Sequence, residues 1–152
     1  MAQILYLTRI ELDFGARRTL PGQCARAGMK RPMVVTDAGV RAAGVLDLAL
    51  DAFDTPPAVF DRTPPNPTEA AVRDAVAELQ RHGCDGLIAI GGGSSIDLAK
   101  GVAIAATHDG PLKRWATIEG GAVNIGAHVL PVIAVPTTAG TGSEVARGAI
   151  LI

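Results

Sequence analysis

Aromatic residues are scarce in this chain: three Phe, one Tyr and one Trp, 3% of 152 residues. The interior must therefore be built from Ala, Val, Leu and Ile, which supply most of an apolar fraction of 48%. Cysteine is almost missing. Cys24 and Cys84 stand far apart in apolar or helical contexts, which excludes a disulfide framework and predicts two reduced, buried thiols in a cytoplasmic protein. Neither sign of charge dominates: 14 Lys and Arg against 15 Asp and Glu leave a net charge of −1. No Lys/Arg run occurs either, so a nucleic-acid binder held by a basic patch is excluded. No apolar run approaches the roughly 20 residues a membrane helix needs. The opening Met1-Ala2-Gln3-Ile4-Leu5 shows no basic stretch leading into an apolar core, so no secretory signal is visible. His82, His108 and His128 have no metal-ligand spacing to one another or to an acid, and no Ser/His/Asp or Cys/His arrangement points to a nucleophile.

What is present is glycine, 18 residues of it, and short apolar runs that alternate with helical patterns. The length suits one domain with a real core. Strands are predicted at 10–14, 32–36, 57–60, 86–90 and 129–135, and helices at 19–27, 45–51, 68–82 and from the glycine turn to about 106. Thr68 is placed to cap the third helix. Its apolar stripe, Val72, Ala75, Val76 and Leu79, has the spacing of a helix lying on a sheet. Residues 61–67, with three prolines and an asparagine, read as an irregular loop, and 109–128 as a glycine-rich surface loop. The chain stops at Ala149-Ile150-Leu151-Ile152, inside what looks like another strand, which predicts the N-terminal portion of something longer. Continuously apolar strands separated by helices predict an α/β fold, a Rossmann-like parallel sheet with helices on both faces.

Ligands of such sheets bind at the carboxyl ends of the strands. Three candidate segments follow apolar strands directly. The first is Gly91-Gly92-Gly93-Ser94-Ser95-Ile96-Asp97-Leu98-Ala99-Lys100, where a strand turns into a helix N-terminus. Main-chain N–H groups there suit a phosphate, and three glycines exceed what a plain turn needs. It is not the G-x-G-x-x-G fingerprint, because Ile96 stands where the third glycine belongs. Ser94 reads as the N-cap, and Asp97 either as its capping partner or as a polar group beside a cofactor. Lys100 faces either the site or a solvated edge, the edge being the plainer expectation. The second is Asp37, a turn aspartate or an acceptor for a ribose diol that would repel a 2′-phosphate. The third is Pro136-Thr137-Thr138-Ala139-Gly140-Thr141-Gly142-Ser143-Glu144, small and hydroxylated, a plain loop or the wall of a nucleotide site.

Together, the two long segments resemble the signatures of the iron-dependent (group III) alcohol dehydrogenases. Val34-Val35-Thr36-Asp37 and Pro65-Asn66-Pro67-Thr68 are similar to two further family segments in the same order. The resemblance spans roughly residues 11–152. It implies a dehydroquinate synthase-like N-terminal NAD-binding domain covering 1–152, followed by a helical C-terminal domain. In the family a divalent metal, iron or zinc, is held between the domains by Asp and His residues of the C-terminal one and polarises the alcohol or carbonyl oxygen. Carried over by position, Asp37 would bind the adenosine ribose and Asn66 would lie near the cofactor. Gly92, Gly93, Ser94, Ser95 and Asp97 would hold the pyrophosphate and nicotinamide side, and Thr137, Thr138 and Thr141 would line the adenine and phosphate path. No catalytic or metal-binding residue falls in this segment, so it should shape a cofactor cleft without turning over substrate. The family also implies a cytoplasmic homo-oligomer, a dimer paired through N-terminal strands such as Gln3–Leu7.

The reading that results is the cofactor domain of an NAD-linked, metal-dependent dehydrogenase of an alcohol and its aldehyde or ketone. Glycerol dehydrogenase and maleylacetate reductase relatives are the alternatives within the superfamily. From other classes come a nucleotide-binding phosphotransferase, which would want an Asp inside the glycine turn, and a non-catalytic nucleotide-binding module.

Overall fold

The computed structural model describes residues 8–152. Among the described residues there are nine α-helices and β-strands: α1 (Leu20–Arg26), β1 (Pro32–Val35), α2 (Ala38–Ala42), α3 (Val45–Leu50), β2 (Ala58–Phe60), α4 (Glu69–Arg81), β3 (Gly86–Gly91), α5 (Gly93–Ala105) and β4 (Val132–Pro136). The four strands form one parallel sheet in the order β2-β1-β3-β4. Val34 pairs with Val59 on one side and Ile88 on the other, and Ile88 pairs in turn with Ile133.

Both faces of the sheet are covered, which explains why its strands are apolar without alternation. Met33, Val35, Leu87 and Ala89 point into a cluster with α4 and α5. Val34, Ile88 and Ile90 point the other way, against Leu20 and Cys24 of α1 and Leu46 and Ala49 of α3. The helices change face where the chain reverses direction across the sheet, as a single handedness of crossover requires. The Thr68 hydroxyl accepts the Ala71 N–H at 3.2 Å, and Val72, Ala75, Val76 and Leu79 are buried. The parallel sheet, the α4 cap and its stripe are thus as the sequence predicts.

Three expectations are corrected. Residues 10–14 form no strand; Ile10, Leu12 and Phe14 lie 59%, 94% and 106% exposed, because alternation alone provides no neighbouring strand to pair with. Residues 149–152 are irregular too, held by the Ile152 N–H on Pro67 O at 2.9 Å and by Leu151 against the core. The last strand starts at Val132, three residues later than 129, and ends at Pro136. The short α2 was not expected. Residues 109–128 hold 3₁₀ turns, pinned where His108 Nε2 accepts the Gly126 N–H at 3.0 Å. The predicted pairing segment Gln3–Leu7 lies outside the described residues. Among the described residues no helix is long and apolar enough to cross a membrane.

Candidate functional site

Strand order reverses between β1 and β3, which leaves a crevice at their carboxyl ends. A cleft of about 510 Å³ opens there, within the range of small-molecule and cofactor sites. Asp37, Gly92, Gly93, Ser94, Thr137 and Thr138 all line it. The three segments singled out in the sequence therefore share one rim.

Asp37 is half-buried and already employed. Its Oδ1 accepts the Val40 N–H at 2.9 Å as the N-cap of α2, and its Oδ2 accepts the Ser95 hydroxyl at 3.3 Å. Each carboxylate oxygen keeps a further lone pair for a ligand hydroxyl.

The start of α5 differs from the expected capping box. Gly92 is the N-cap, and no side chain caps the helix. The Ser94 hydroxyl turns away and donates to Pro65 O. Asp97 is 7% exposed and accepts the Ile150 N–H at 3.1 Å instead of facing the helix start. The first bond back to Gly92 O comes from the Ile96 N–H at 3.3 Å, so the N–H groups of Gly93 and Ser94 are left for an anion at the positive end of the dipole.

The three glycines also have a packing reason. A Cβ on Gly91 would lie 2.5 Å from Ser95 Oγ, and one on Gly92 3.3 Å from Thr138 Oγ1. One on Gly93 would lie 3.1 Å from Ser143 Oγ and 3.4 Å from Thr141 Cβ. Gly91 is thus crowded by Ser95 of α5, and Gly92 and Gly93 sit tight against the second loop, besides suiting a ligand. That loop is fixed beside the turn by the Thr137 N–H, which donates to Gly91 O at 2.9 Å.

Four of the sequence candidates do not line the cleft. Ser95 is wholly buried beneath Asp37, Asp97 lies behind the helix start, Thr141 backs Gly93, and exposed Asn66 flanks the rim next to Pro65. Lys100 is not at a solvated edge. Its side chain is 15% exposed, and its ammonium donates to Ser143 O at 2.5 Å and Gly148 O at 2.9 Å. The sequence reading missed Gly39, Val40, Thr63 and Pro64 as lining residues. The end of β2 at Phe60 was the available signal, since a fourth strand tip reaches the same edge. Among the described residues no group of three or more His, Cys, Asp or Glu side chains could hold a metal ion. His82 ends α4 with Nε2 3.2 Å from Glu78, and His108 sets its ring edge-on to Trp115, so both serve the fold.

A parallel sheet covered on both faces, with its cleft where strand order reverses, defines a Rossmann-like α/β domain. The chain belongs to the iron-containing alcohol dehydrogenase family, whose sequence profile matches residues 8–152. It is 62% identical over 153 aligned residues to 4-hydroxybutyrate dehydrogenase of Cupriavidus necator, covering 100% of this chain and 40% of that protein. The crystal structure of a 1,3-propanediol oxidoreductase superposes with a TM-score of 0.78 at 38% identity, over 87% of this chain and 34% of the other. Sulfoacetaldehyde reductase from Bifidobacterium kashiwanohense, solved in complex with NAD+, gives 0.75 at 30% identity, over 86% and 34%. The chain thus spans about 40% or less of the length of these relatives.

Proposed function

We propose that this chain is the NAD(H)-binding part of a metal-dependent alcohol dehydrogenase acting on a small alcohol and its aldehyde or ketone. One observation carries the reading: Asp37, the uncapped start of α5 and Thr137 converge on a single cleft where strand order reverses. The names of the relatives, which specify small hydroxylated or aldehyde substrates, support the substrate class.

When bound, NAD+ supplies the hydride acceptor. The Gly93 and Ser94 N–H groups meet the pyrophosphate charge. Asp37 accepts the ribose hydroxyls, and its charge opposes the 2′-phosphate of NADP. Thr137 and Thr138 form the facing wall, with Asn66 and Thr141 at its flanks. Ser95 and Asp97 act from behind, Ser95 by orienting Asp37. The residues described here do not fit a metal. On the family reading, iron or zinc is held by a helical C-terminal domain, in the length these relatives have and this chain does not span. The same reading places the protein in the cytoplasm, in keeping with the free thiols Cys24 and Cys84, and makes it a homo-oligomeric dimer, in keeping with exposed Ile10, Leu12 and Phe14.

Calorimetric titration of the purified chain with NAD+, NADP+ and ATP tests the cofactor. NAD+ should bind tightest, and a clear preference for ATP would overturn the reading.

A further inference from the structure

Lys100 lines no part of the cleft, yet it is among the most heavily engaged polar side chains near it. It sits on α5 about two turns past the glycine turn, with little of its side chain exposed. Its ammonium donates to two main-chain carbonyls, Ser143 O at 2.5 Å and Gly148 O at 2.9 Å. Asp97 Oδ1 lies 3.6 Å from the same nitrogen, while Asp97 Oδ2 accepts the Ile150 N–H. Two neighbouring side chains of one helix therefore hold three backbone groups of 143–150.

The held segment continues into the cleft wall. Ser143 Oγ stands 3.1 Å from where a Cβ of Gly93 would be, and the Ser143 N–H reaches Thr141 Oγ1 at 3.4 Å. Thr141 and Thr138 lie against Gly93 and Gly92 in turn. Around Ser143 the 137–148 loop makes one local turn, closed by the Val145 and Ala146 N–H groups on Gly142 O, and the Lys100 ammonium ties that turn to α5.

We propose that Lys100 is a positioning residue of the cofactor cleft: acting through Ser143 and Gly148, it sets the loop whose Thr137 and Thr138 face the glycine turn. The inference rests on the cofactor reading above. Burial is costly for the ammonium and pulls its pKa below the usual 10.5, so a solvated Lys would be easier to keep at this position. The charged donor binds those two carbonyls more strongly than a neutral one would, and it ties to α5 a loop that the helix backbone does not bond.

The test compares wild type with Lys100→Met, which keeps the length and removes the donors. Amide exchange without nucleotide should rise about tenfold across 137–148 while α4 and β3 keep their protection. Preorganisation of the wall is lost, so the Kd for NAD+ should rise about tenfold, with the melting temperature within about 3 °C of wild type. A purely structural role would lower protection everywhere and shift the melting temperature. Lys100→Gln, which leaves a polar group in the same place, supplies the same readouts should Lys100→Met not fold. Unchanged exchange in 137–148, or unchanged NAD+ affinity in a wild type that binds NAD+, overturns the proposal. A wild type that binds no NAD+ defeats the cofactor reading instead, and the exchange measurement then decides the positioning role alone.

Discussion

The Ser95 hydroxyl donates to Asp37 Oδ2 at 3.3 Å, joining the tip of β1 to the helix that follows β3. Residues 58 apart in sequence thereby fix the crevice between the two strands. Ser95 is wholly buried, so its hydroxyl has no water to fall back on.

Two variants separate the roles of Asp37. Asparagine caps a helix as well as aspartate, and its amide N–H can donate to Ser95 Oγ in place of the bond Asp37 accepts, so Asp37→Asn should cost no more than ~1 kcal/mol of stability. It removes the negative charge, and affinity for NADP+ relative to NAD+ should rise about fivefold, the equivalent of ~1 kcal/mol for one exposed charge pair. Ser95→Ala should instead cost ~1 kcal/mol of stability through the lost buried hydrogen bond. Urea unfolding and calorimetric titration check both. An unchanged nucleotide preference in Asp37→Asn removes the proposed discrimination.

Two helix glycines should respond oppositely to alanine. Gly22 in α1 has open space where a Cβ would go, so Gly22→Ala should stabilise by roughly 0.5–1 kcal/mol. At Gly101 in α5 a Cβ would meet Val72 Cγ2 at 3.0 Å and Leu151 Cδ1 at 3.1 Å. Gly101→Ala should therefore destabilise by about 1–2 kcal/mol despite the better helix propensity, because it separates α4 from α5. Denaturant midpoints of the two variants decide this, and a gain in both would contradict the close helix packing.

Alkaline pH sets two effects against each other. Burial, and then the charge of Asp85, pushes the thiols of Cys24 and Cys84 above the ordinary 9.0. The folded state keeps these protons longer than the unfolded chain. Their stabilising contribution is complete below pH 9.0 and is lost as pH rises through the folded values. Lys100 acts in the other direction. Its pKa is below 10.5 in the fold, so the unfolded chain binds more protons in that window and stability gains as pH rises. Wild-type unfolding free energy should fall above pH 9. A Cys24→Ala, Cys84→Ala double variant should show a flat or rising profile to pH 10.5. A fall of the same slope in the double variant would show that the thiols are not responsible.

The sequence by itself determined the elements whose causes are local or continuous along the chain. Thr68 with the stripe Val72, Ala75, Val76 and Leu79 specified α4, and the unbroken apolar run into Gly91 specified a strand buried on both faces and a turn after it. These signals need no knowledge of distant residues, because caps and side-chain periodicity act within one or two turns. Only the tertiary structure decided what needed a partner from far away. Residues 10–14 alternate correctly but have no strand to pair with among the described residues. Ser94 left the cap position for Pro65 O, Asp97 turned to Ile150, and Lys100 turned inward to Ser143 and Gly148. Each of those side chains could satisfy itself in several ways along the helix. The choice fell to backbone groups that the fold brings close from 29 to 53 residues away, and such distances are not written in local spacing.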